Sequence, residues 1–78
     1  MMKIEVFGTG CVKCKRLEKN VIEALAKAGI QADVVKIEDI DAITDQGIMV
    51  TPALAIDGEV KLMGKVPSVD ELIAMFRA

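Results

Sequence analysis

The chain has 78 residues, with 53% hydrophobic and 28% charged residues, so it holds one domain at most and lies far from the polar, highly charged compositions that stay disordered. Ten basic residues stand against twelve acidic ones for a net charge of −2, with no Trp, no Tyr and two Phe, which argues against the basic, aromatic-bearing surface that grips nucleic acid. There is no His, and imidazole catalysis is excluded with it.

The opening run Met1-Met2-Lys3-Ile4-Glu5-Val6-Phe7 carries an acid inside a short apolar stretch. No apolar segment approaches the roughly 20 residues that span a bilayer. The expectation is a soluble, unprocessed, cytoplasmic protein without membrane contact. Lys3 to Phe7 alternates polar and apolar residues and predicts a strand that ends at Gly8-Thr9-Gly10. From Val12 to Ala28, Cys14, Leu17, Val21, Leu25 and Ala28 recur at helical spacing, with Lys15, Arg16, Glu18, Lys19, Glu23 and Lys27 around the other side. Gly29 predicts the stop of that helix. Ala32 to Ile37 is a β-branched run that reads as a largely buried strand, parallel to the first because a helix connects the two.

Asp39 to Gln46 predicts a short helix with an acidic start and Gly47 as its stop. After Thr51-Pro52, the segment Ala53 to Met63 carries Asp57-Gly58 between two strand-like runs, the signature of a β-hairpin. Ser68 and Glu71 form a capping box ahead of Val69, Leu72, Ile73 and Phe76, one buried stripe of a final helix. The order β-α-β-α-β-β-α predicts an α/β fold over residues 1–78, with a four-stranded mixed sheet and helices on both faces. Met49, Met63 and Met75 read as core or rim packing. Asp39, Asp41 and Asp45 lack the terminal Glu of a calcium loop.

The two cysteines of the chain lie in Cys11-Val12-Lys13-Cys14. A disulfide across so small a loop stabilises little, so the pair is expected to serve chemistry rather than to staple the fold. At the start of a helix, unpaired N–H groups and the helix dipole favour a thiolate at Cys11, helped by Lys13, Lys15 and Arg16. Cys14, on the apolar stripe, is expected to be more buried and to stay a thiol. Cys11 is then the nucleophile on an external disulfide, and Cys14 the resolving thiol that releases reduced product. That exchange needs no cofactor and no metal.

Taken together, Gly-Thr-Gly-Cys-x-x-Cys at Gly8 to Cys14, Thr51-Pro52-Ala53-Leu54, the hairpin, Gly64 and the Ser-capped last helix resemble a minimal thioredoxin fold over essentially the whole chain. The resemblance is nearest to the small thioredoxin-like or glutaredoxin-like redox-active disulfide proteins of archaea and anaerobic bacteria. It implies a cis Pro52 facing the cysteines, with Gly10, Thr51 and Pro52 binding an extended substrate strand. It further implies disulfide-bearing protein substrates, a flavin-dependent, thioredoxin reductase-like electron donor and action as a monomer. Glu5 stands six residues before Cys11, the offset of the proton-relaying Asp of thioredoxins, and is a candidate for that role; strand alternation alone turns it to the opposite, wetter face. Val12-Lys13 stands where thioredoxins proper have Gly-Pro, and Gly10 where they have Trp.

Two other uses of the same cysteines stay open on the residues alone. Heavy-metal-associated domains also follow a first strand with Cys-x-x-Cys and hold Cu(I) between soft thiolates, although their chains end in a strand and give Thr51-Pro52 no role. A dimer sharing zinc or an iron–sulfur cluster would complete a four-coordinate site from two chains.

Overall fold

A computed structural model of the chain describes residues 2–10 and 12–77. The described residues form β1 (Met2–Phe7), α1 (Val12–Ala28), β2 (Ala32–Ile37), α2 (Ile40–Asp45), β3 (Ala53–Ile56), β4 (Glu59–Met63) and α3 (Val69–Arg77). The strands lie in the order β2-β1-β3-β4. β1 runs parallel to β2, while β1–β3 and β3–β4 are antiparallel, so the sheet is mixed and the order is that of a minimal thioredoxin fold.

Period-two alternation along β1 divides the core in two. Ile4 and Val6 point to one face and pack with Leu17, Val21, Ala24 and Leu25 of α1, with Leu54 and Ile56 of β3, and with Leu72 and Phe76 of α3. Phe7 points the other way and packs with Ala53, Ala55, Ile43 of α2 and Ile48. Helices thus cover both faces, the larger cluster under α1 and α3 and the smaller under α2. Burial of these side chains, with the larger ones each contributing about 1.5–3 kcal/mol, is the main force holding the layers together.

Local chemistry sets the ends of the elements. Beyond α1, the Ile30 N–H reaches back to the Leu25 carbonyl at 3.0 Å and the Gly29 N–H to that of Ala26 at 3.3 Å, which satisfies the last turn. Asp39 caps α2, its side chain accepting from the Asp41 N–H at 3.1 Å. At α3 the capping box is reciprocal: the Glu71 N–H donates to Ser68 Oγ at 3.2 Å and the Ser68 N–H to Glu71 Oε1 at 3.0 Å. Asp57 and Gly58 both have positive φ, 51° and 86°, the backbone a two-residue hairpin turn requires. The ladder of that hairpin slips between Leu54 and Ala55, a bulge that the sequence pattern does not announce.

Two expectations are corrected by the packing. β2 is not a buried strand: it is an edge of the sheet, none of its residues is fully buried, and Val35 is exposed. Its β-branched run reflects strand propensity and contact on one side only. Met49 is 90% exposed in the segment that follows α2, so it belongs to the surface and not to the core, whereas Met75 packs against the larger cluster.

Candidate functional site

The site grows from the end of β1. Cys14 lies in the first turn of α1, on the stripe that continues through Leu17 and Val21, and is 1% exposed. Its sulfur rests against Gly8: a Cβ added at Gly8 would overlap that sulfur and stand 2.9 Å from Cys14 Cβ. Only glycine lets the first turn of the helix settle this closely on the strand it has just left. The Gly8 N–H also donates to the Ile37 carbonyl at 3.0 Å, which carries the β1–β2 pairing one residue past the strand. Cys11, the other half of the pair, lies outside the described residues. Gly10 has φ of 86° with open space where a Cβ would stand, so its backbone conformation, and not crowding, favours glycine there.

Pro52 comes to the same end of the sheet. The last β1–β3 pair is Phe7 with Ala53, and continuing the antiparallel register sets Pro52 beside Gly8. The Thr51–Pro52 peptide bond is cis, Pro52 is fully buried and Thr51 is exposed. Among the described residues, neither the N–H nor the C=O of Thr51 bonds to another backbone group. The Pro52 carbonyl accepts from the Gly64 N–H at 2.7 Å. Gly64 has φ of 70°, and a Cβ there would lie 2.8 Å from Val50 Cγ1, so the exit of β4 closes tightly on the segment that carries Thr51 and Pro52. Met49 and the exposed Val50 precede that pair in the chain, and Val12, 74% exposed, opens α1. Exposed apolar side chains thus stand in the chain next to both Thr51 and Cys14.

At the end of β2, Lys36 is ion-paired. Lys36 Nζ lies 3.0 Å from Glu38 Oε1. Its pKa is raised above the ordinary 10.5, chiefly by that hydrogen bond and then by the Glu38 charge, with smaller contributions from Glu18 and Cys14. Glu5 is half-buried and pairs with Val35 and Ala55, on the α2 face and not on the face that bears Cys14. Among the described residues no group of three or more Cys, Asp or Glu side chains is placed to hold a metal ion, and no helix is long and apolar enough to cross a membrane.

One residue here escapes a reading of the chain alone. Gly8 reads as one of several turn glycines, and only the approach of Cys14 gives it a specific duty.

The thioredoxin domain profile matches residues 2–77 of this chain. A thioredoxin of Methanothermobacter thermautotrophicus is 49% identical over 72 residues, which cover 92% of this chain and 94% of that protein. A thioredoxin of Methanocaldococcus jannaschii is 42% identical over 72 residues, covering 92% and 83%. A probable thioredoxin of Methanothermobacter marburgensis is 38% identical over 76 residues, covering 92% and 88%. With a mixed sheet in this order, a buried cysteine on the first helix and a cis proline entering β3, the chain belongs to the thioredoxin family.

Proposed function

We propose that the chain carries out the thiol–disulfide exchange of its family, reducing protein disulfides with Cys11 as nucleophile and Cys14 as resolving thiol. The observation that carries this reading is the convergence of Cys14, packed on Gly8, and the Thr51–Pro52 segment at one end of the sheet. In the first step the Cys11 thiolate attacks one sulfur of the substrate disulfide; a Cys11–substrate S–S bond forms, and the other substrate sulfur leaves as a thiolate that takes up a proton. In the second step Cys14 loses its proton and attacks Cys11. The Cys11–Cys14 bond forms, the mixed disulfide breaks, and the second substrate sulfur leaves with the electron pair. The substrate has gained two electrons and two protons, and the protein holds a disulfide.

Thr51, exposed and with a backbone that bonds to no other backbone group among the described residues, would take an extended substrate strand beside Pro52, with Gly10 giving room on the other side. The exposed apolar Val12, Met49 and Val50 suit a peptide presented by a partly unfolded or loop-bearing substrate. Return of the chain to the dithiol form falls to a flavin-dependent, thioredoxin reductase-like donor in a reducing cytoplasm, the chain acting as a monomer. For Glu5, its place on the α2 face favours the plainer of the two sequence readings, a strand carboxylate turned away from the cysteines. Glu5→Gln should leave the exchange rate and its pH profile unchanged, as followed by thiol release from a small disulfide.

Trapping tests the assignment. Offered a protein disulfide, Cys14→Ser should accumulate a mixed disulfide through Cys11, seen as a mass adduct lost on reduction, and Cys11→Ser should not. Equal trapping by both variants would overturn the roles. A stoichiometric metal in an anaerobically purified dimer, with no exchange by the wild type, would favour the metal-sharing reading instead.

A further inference from the structure

Of the methionines among the described residues, Met2 and Met75 pack against the larger cluster, and Met63, at the end of β4, is 45% exposed. Met49 is 90% exposed, so its thioether meets solvent and little else. A single exposed apolar side chain asks for no explanation by itself. What distinguishes Met49 is that both of its neighbours are anchored. On one side Ile48 is buried in the smaller cluster, its N–H bonded to the Ile43 carbonyl at 3.3 Å. On the other, Val50 lies so close to Gly64 that a Cβ added there would stand 2.8 Å from Val50 Cγ1, and the Gly64 N–H donates to the Pro52 carbonyl at 2.7 Å. The backbone at Met49 is thus fixed from both sides, and the sulfur is offered to solvent two positions before Thr51.

We infer that Met49 is a modification site for peroxide, and that the sulfoxide formed there weakens the hold of the chain on unfolded or loop-bearing disulfide substrates. A polarisable thioether open to solvent is oxidised by hydrogen peroxide. The sulfur lone pair attacks one peroxide oxygen: an S–O bond forms, the O–O bond breaks, and sulfur gives up two electrons. The second oxygen takes the proton of the first and leaves as water. A polar group then stands where an apolar side chain stood. The site itself follows from exposure and anchoring. Its effect on substrates rests on the exchange reading above, in which an extended segment lies along Thr51 and Pro52 with Met49 and Val50 beside it. The two sulfurs that make and break bonds in that reading are unaltered, so the effect falls on binding and is read in KM.

The test treats the full chain with hydrogen peroxide while its thiols are held as disulfides, then restores the thiols with a thiol reductant, which leaves a sulfoxide in place. Peptide mass mapping should find one added oxygen at Met49 at least about twice as fast as at Met63, in proportion to their exposure, and faster still than at Met75. With unfolded, disulfide-bonded lysozyme as substrate, the oxidised chain should show a KM raised roughly three- to tenfold at the same kcat. Its reaction with a small aromatic disulfide should not change. In Met49→Leu the peroxide response should vanish, KM being the same before and after treatment. Oxidation of Met49 no faster than that of Met75 would overturn the site. A KM unmoved by oxidation, or moved as much in Met49→Leu, would overturn its effect on substrates. If the untreated chain reduces no disulfide, the exchange reading fails, and the oxidation map still decides the site.

Discussion

Among single residues the decisive contact is that of Cys14 with a glycine. Gly8→Ala must move either the sulfur or the strand backbone, because the new Cβ would overlap Cys14 Sγ. We expect a loss of about 1–3 kcal/mol in denaturant unfolding, together with slower resolution of a trapped mixed disulfide. Alanine at this position would act on both quantities, since under the proposed exchange one contact serves packing and chemistry alike. The burial of Cys14, from its place on the apolar stripe, and the cis bond at Pro52, from the motif it completes, are legible in the chain. The contact of Gly8 is not, because it depends on which backbone the first turn of α1 settles on.

For the helices and strands, caps and edges explain both what can be read and what cannot. The Ser68 and Glu71 box is visible as a four-residue pattern, and the reciprocal bonds follow from it. Ser68→Ala should cost about 1 kcal/mol of stability, measured by chemical denaturation. The Ser68 backbone N–H first, then the Ser68 side chain and the nearby Lys65, hold the Glu71 carboxyl below its ordinary 4.5. A carboxyl whose folded pKa is depressed stabilises the fold above its unfolded pKa and loses that contribution as pH falls through the folded value. The stability advantage of the wild type over Glu71→Gln should therefore be complete at neutral pH and shrink below about pH 4.5; an advantage that grew on acidification would contradict the cap. The edge position of β2 escapes the sequence for a complementary reason. A β-branched run reports strand propensity, and whether the strand is central or at an edge is decided by strand order, which no local window contains.

In the molecule as a whole, two apolar clusters share one sheet, and β1 and β3 contribute to both. The Cα radius of gyration of 11.4 Å is close to the about 11.5 Å of a compact body of this length. A sheet used from both sides cannot lose one cluster and keep the other, so we expect one cooperative transition, with helical circular dichroism and the hydrodynamic radius changing together. Leu54→Ala, within the larger cluster and fully buried, should cost about 2–5 kcal/mol; that share of a small domain's stability shifts the same single transition rather than splitting it.

The proposed exchange requires Cys11 to attack as a thiolate at neutral pH. The pH dependence of alkylation of Cys11, followed in the reduced Cys14→Ser chain by mass, measures that ionisation directly. We predict an inflection well below the roughly 8.5 of an unperturbed thiol. An inflection at or above that value would contradict the assignment of Cys11 as the nucleophile.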